Sequence, residues 1–93
     1  MLRIAVVEDD AGQAGQLVQY LERYGTENQE EIRNAVFPDG LDIVEDYQPV
    51  WDIILLDIEM PLLDGMAAAE RIRALDPSVI LIFITNMAQY AIK

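Results

Sequence analysis

The chain has no cysteine and no histidine. Without cysteine there is no disulfide framework and no thiol chemistry. Without histidine, the commonest general base and the commonest metal ligand are both missing. Any metal site must be built from oxygen donors, which favours Mg²⁺, Ca²⁺ or Mn²⁺ over Zn²⁺. Bases are scarce too: 6 lysines and arginines stand against 17 acids, for a formal net charge of −11. That balance argues against direct contact with nucleic acid or an anionic membrane. Long apolar runs are also lacking. Ile4–Val7 is too short for a secretory signal and runs into Glu8-Asp9-Asp10, and Val79–Ile84 is far too short to span a bilayer. A cytoplasmic location is expected.

What is present is apolar material in short, regular blocks. The 93 residues are 53% hydrophobic, enough for one small domain with a proper core. Leu2–Val7, rich in β-branched residues, reads as a buried strand. "AGQAGQLVQYLERYG" (11–25) puts Ala14, Leu17, Val18 and Leu21 on one helical face. Asp10 is placed to cap that helix, with Gln13 completing a capping box and Gly25 as its stop. The next stretch is polar and only weakly strand-like, at Asn34–Phe37. "LDIVEDY" (41–47) sets Leu41, Val44 and Tyr47 on a helical face, and Pro49 closes it. Trp51–Leu56 is a second clear buried strand. After the loop "IEMPLLDG", Asp64 caps a helix, "MAAAERIRALDP", with Met66, Ala69 and Ile72 as its apolar face. Ser78–Thr85 is a further strand, and "NMAQYAIK" opens something helical.

Continuous apolar strands alternating with amphipathic helices predict a three-layer α/β fold, a parallel sheet with helices on both faces. In such sheets, sites form at the carboxyl ends of the strands. Those ends carry Glu8-Asp9-Asp10, Asp57 and Thr85-Asn86. An acidic pair, a lone aspartate and a hydroxyl would then share one edge. Carboxylates crowded there repel unless a cation neutralises them. Mg²⁺ suits the task, because it takes few protein ligands and keeps several waters. A carboxylate beside Mg²⁺ can attack phosphorus to form an acyl phosphate, and Thr85 could hydrogen-bond the phosphoryl oxygen.

"IAVVEDD", "DIILLDIEMPLLDG" and "ILIFITN", in that order at those strand ends, resemble the receiver domain of two-component response regulators. The aspartate followed by x-x-Met-Pro-x-x-Asp-Gly is the most specific piece. The "FITNMAQYAIK" ending looks like receivers of LytTR-type transcription regulators. The resemblance implies a flavodoxin-like sheet of order 2-1-3-4. It implies Asp57 as phosphoacceptor, Glu8 and Asp9 as the acidic pair that holds Mg²⁺ or Mn²⁺, and Glu59 as a metal ligand through its backbone carbonyl. It also implies Thr85 as the switch hydroxyl, Asn86 in the same loop, and Pro61 and Gly65 as shapers of the loop after Asp57. The implied partners are a sensor histidine kinase and an output domain, DNA-binding in that subfamily. Family members carry a lysine at the end of a fifth strand, followed by a fifth helix. This sequence ends at Lys93 ahead of both, so residues 1–93 are read as a receiver domain truncated at its C-terminus. Slow or undetectable self-labelling is expected of it, with a homodimer through the fourth strand or the terminal stub.

Blander readings account for other residues. Asp10 suits a helix start. Trp51 and Phe83 read as core, Tyr90 as packing of the stub, and Arg73 and Lys93 as solvated. Two other functions stay open. One is a non-phosphorylated interaction domain on the same fold. The other is a haloacid-dehalogenase-type Mg²⁺-dependent phosphatase, which wants Asp-x-Asp where this chain has Asp57-Ile58-Glu59. A nucleotide-binding domain is disfavoured, because "EDDAGQAG" lacks a G-x-G-x-x-G loop.

Overall fold

A computed structural model describes residues 1–84. Strand and helix alternate through them: β1 (Leu2–Val7), α1 (Ala11–Glu27), β2 (Ile32–Phe37), α2 (Gly40–Val44), β3 (Ile53–Asp57), α3 (Gly65–Leu75) and β4 (Ile80–Ile84). The four strands form one parallel sheet in the order β2-β1-β3-β4, the order expected. Thr85, Asn86, Tyr90 and Lys93 lie outside the described residues.

Side chains alternate across a strand, so each central strand feeds two layers. Ala5 and Val7 of β1 and Ile54 and Leu56 of β3 pack with Ile43 of α2 and with Ala68, Ala69 and Ile72 of α3. On the opposite face, Ile4 and Leu55 line an apolar groove with Leu21 and Tyr24 of α1 and Ile82 of β4. The small residues Ala68 and Ala69 let α3 lie close to the sheet, and Ile72 is fully buried beneath it.

Several boundaries differ from the sequence expectation, each for a physical reason. Helix α1 runs past Gly25 because Asn28 caps it: the Asn28 backbone N–H and Nδ2 both donate to the Tyr24 carbonyl, at 3.0 and 2.9 Å. The left-handed turn falls at Gln29, with φ 54°. Strand β2 begins at Ile32 because it pairs with β1 from Leu2 onward, so tertiary pairing overrides a weak local pattern. Helix α2 stops at Val44, and Asp46 turns the chain with φ 52°. Tyr47 therefore lies beyond the helix, yet it packs on the core and donates its hydroxyl to Asp76 Oδ2 at 2.8 Å. Strand β3 starts at Ile53, and Trp51 stands before it, half-buried, with its ring edge-on to Phe37 at 5.9 Å. Met66 is 53% exposed, because the buried stripe of α3 is Gly65, Ala68, Ala69 and Ile72. Phe83 is exposed on β4 rather than core.

Candidate functional site

Parallel pairing brings the strand ends to one edge. Val7 sits opposite both Phe37 and Leu56, and Asp57 sits opposite Ile84. Glu8 continues the ladder, its N–H donating to the Phe37 carbonyl at 3.0 Å. Glu8, Asp9 and Asp57 each offer a carboxylate oxygen, and the three oxygens lie within 4.8 Å of one another. Glu8 and Asp57 are buried and Asp9 is exposed, so the cluster is embedded on the sheet side and open on the other. None of the three has a lysine or arginine partner among the described residues.

The electrostatics follow from that crowding. Burial pushes the Glu8 carboxyl from an ordinary 4.5 up to about 7; the Asp10 N–H draws it back, while the Asp9 and Asp57 carboxyls push it further up. A divalent cation would relieve this strain directly. Three convergent oxygen donors, one of them facing solvent, fit a hard ion that retains several waters.

Asp10 stands apart from the cluster. Its Oδ1 accepts from the Gly12 and Gln13 N–H groups at 2.8 and 3.3 Å, so it caps α1 as expected. The reciprocal half of the capping box is altered: the Asp10 N–H donates to Glu8 Oε2 at 3.1 Å, tying a site carboxylate to the helix start.

The loop after Asp57 is held tightly. The Gly65 N–H donates to the Ile58 carbonyl at 2.8 Å, and a Cβ at residue 65 would run into the Asp57 carbonyl oxygen, so only glycine allows this approach. Asp64 Oδ1 accepts from the Ala67 N–H at 2.9 Å and caps α3. Met60 is buried in the core. These contacts agree with the loop-shaping role expected of Gly65, while Pro61 is exposed within the loop. The Glu59 side chain is exposed. Thr85 follows Ile84, the register partner of Asp57, and lies outside the described residues.

One residue was missed from sequence. Asp39 is buried and spans the gap between α2 and this loop. Its Oδ1 accepts from Leu41 N–H at 3.0 Å and Leu63 N–H at 2.9 Å, and its Oδ2 from Leu62 N–H at 3.0 Å. Burial alone would raise its pKa, but these N–H donors, Leu41 first, outweigh it and hold the carboxyl below its ordinary value. Asp-Gly ahead of an apolar helical stretch signals a helix cap. Nothing local signals a reach to residues 23 and 24 positions away.

A parallel α/β sheet with three acids gathered at its carboxyl edge is a doubly wound domain whose candidate site lies at the strand ends. Known proteins narrow that class. The family model for the response regulator receiver domain matches residues 4–93, and the chain belongs to that family. It is 33% identical over 94 residues to the response regulator receiver protein CpdR of Brucella abortus, covering the whole of this chain and 73% of that protein. It resembles a chain in the CheX–CheY–BeF3–Mg²⁺ complex of Borrelia burgdorferi with a TM-score of 0.77 at 29% identity, covering 90% of this chain and 61% of that one. A chain in the complex of histidine kinase ThkA with response regulator TrrA matches with a TM-score of 0.75 at 29% identity, over 100% of this chain and 76% of that one. Relatives vary in length: the chain spans 37% of a response regulatory protein of Yersinia pestis. Receiver domains are signalling domains of two-component systems, generally not enzymes in their own right.

Proposed function

We propose that the chain is a phosphoacceptor module, with Asp57 taking a phosphoryl group from the phosphohistidine of a sensor kinase. The observation that carries this is the meeting of Glu8, Asp9 and Asp57 within 4.8 Å at the sheet edge. An Asp57 carboxylate oxygen forms the new O–P bond as the N–P bond breaks. The electron pair passes to the histidine nitrogen, and a ring protonated on its other nitrogen leaves as neutral imidazole. Glu8, Asp9, Asp57 and the Glu59 carbonyl would hold Mg²⁺, or Mn²⁺ in its place. Bound there, the ion offsets the negative charge of the phosphoryl oxygens. Thr85 would then hydrogen-bond a phosphoryl oxygen and report the modified state to an output domain, with DNA-binding of the LytTR type as the subfamily expectation and transcription regulation in the cytoplasm as its setting. No helix among the described residues is long and apolar enough to cross a membrane.

A homodimer through β4 is the accompanying proposal. Among the described residues β4 is a sheet edge, with Ile80, Ile82 and Phe83 exposed, and such an edge invites a second copy. Sedimentation at several salt concentrations tests it; a clean monomer at high protein concentration and high salt would count against it.

The test of the main proposal is acetyl phosphate with Mg²⁺, read by mass spectrometry. In a version that carries the fifth strand and its lysine, one phosphoryl group, labile to hydroxylamine and absent from Asp57→Asn, is expected. An adduct on serine or threonine, or one that survives the substitution, would rule the mechanism out.

A further inference from the structure

A five-residue helix such as α2 needs little at its start. A serine would cap it nearly as well as an aspartate. Asp39 is nonetheless a buried acid with both oxygens engaged, and two of its three donors belong to the loop after Asp57 rather than to α2. Desolvating a carboxylate is costly, so a second demand must set the residue type. The neighbouring residue makes the same contact from the backbone side: a Cβ on Gly40 would collide with the Leu63 carbonyl oxygen. Asp39 and Gly40 together therefore dock residues 62–63 against the start of α2. The same loop is anchored by Met60 in the core and by the Gly65-to-Ile58 hydrogen bond. Glu59 lies between Ile58 and Met60, so its carbonyl is oriented by a backbone held on both sides.

We propose that Asp39 is a positioning residue of the phosphoacceptor site: its carboxylate clamps Leu62 and Leu63 and so fixes the 58–64 backbone beside Asp57. This rests on the metal-binding role given to that site above. Asp39 touches no reacting atom. It acts by keeping the loop in one conformation before an ion arrives, so that binding need not order it.

The test compares Asp39→Ser, Asp39→Asn and Tyr47→Phe with the unaltered chain and with Asp57→Asn, all at one ionic strength. Serine keeps a helix cap but cannot span to the loop. Asparagine keeps Oδ1, hence the Leu41 and Leu63 bonds, and loses the Leu62 bond. Tyr47→Phe removes a buried hydrogen bond elsewhere in the fold. Two quantities are read by NMR: exchange protection of the Leu62 and Leu63 amides in metal-free protein, and the Mg²⁺ dissociation constant. Asp39→Ser should lose that protection and weaken Mg²⁺ about 10-fold or more, on the scale of other orienting contacts around metal sites. Asp39→Asn should fall between, and Tyr47→Phe should leave affinity unchanged. Unaltered affinity in Asp39→Ser would overturn the proposal, as would equal losses in serine and asparagine, which would mean that only the charge matters. Should Asp39→Ser fail to fold, Asp39→Asn decides: Leu62 protection lost and Mg²⁺ weakened supports the clamp, and neither change refutes it. If the unaltered chain and Asp57→Asn bind Mg²⁺ equally, it is the metal-site reading that fails, and the metal-free amide protection still judges the clamp.

Discussion

Four acids are buried in this fold, and they divide into two kinds. Asp39 and Asp76 are surrounded by donors. Asp39 takes three backbone N–H groups, and Asp76 takes the Tyr47 hydroxyl at 2.8 Å and the Ser78 N–H at 3.4 Å. Glu8 and Asp57 are equally hidden but face each other, with the Asp10 N–H as the backbone donor to Glu8. A carboxylate that builds structure sits among donors. A carboxylate kept beside other carboxylates leaves a charge problem for something outside the chain to solve. That difference, more than burial, separates the site from the scaffold.

Substitutions can break the contrast, because the two kinds should respond with opposite signs. The largest effect is expected at the scaffold. Asp39→Ala strands backbone N–H groups of α2 and the loop and should cost about 3 kcal/mol in urea unfolding. Asp57→Asn should do the reverse in metal-free protein at pH 8, raising stability by about 1–2 kcal/mol as like-charge repulsion is relieved. Tyr47→Phe leaves Asp76 one donor short and should cost about 1 kcal/mol. If Asp57→Asn destabilised as Asp39→Ala does, the division between the two kinds of acid would not hold.

The pH dependence sharpens the contrast more gently. Glu8 ionises near 4.5 in the unfolded chain and at about 7 in the fold. Between those values the folded chain holds a proton that the unfolded chain has released, so this group lowers metal-free stability as pH rises, and the loss levels off above 7. Asp39 acts oppositely: its pKa is lowered in the fold, so its contribution is present above the ordinary aspartate value of 3.8 and fades as the solution is acidified below it. A Mg²⁺ ion competes with the Glu8 proton, so Mg²⁺ affinity should climb between pH 6 and 8. Glu8→Gln should flatten both the affinity and the stability profile above pH 4.5, which urea titrations at each pH can measure.

Much of this was legible in the sequence. The strand–helix alternation, the parallel sheet, and the placing of Glu8, Asp9 and Asp57 on one edge follow from apolar runs that each end in an acid. The caps Asp10 and Asp64 were legible because capping is local. What was not legible depended on distance along the chain. Strand β2 is weak alone and is completed by pairing with β1. Tyr47 looked like part of a helix and instead reaches Asp76, 29 residues away. Asp39 carried only the signal of a turn, and its importance comes from donors 23 and 24 residues downstream. Met66 and Phe83 are hydrophobic yet exposed, since hydrophobicity alone does not say which side of an element faces the core.

The proposed cation site is built around Asp57 from the three facing acids. Its most direct test is the urea midpoint at pH 8 with and without Mg²⁺, for the unaltered chain and for Asp57→Asn. An ion that binds only the folded chain stabilises it by about 1.4 kcal/mol at ten times its dissociation constant. A Mg²⁺-dependent rise of that order is expected in the unaltered chain and little or none in Asp57→Asn, although Asp57→Asn starts from the higher midpoint. Equal rises in both proteins, or no rise in either at millimolar Mg²⁺, would contradict it.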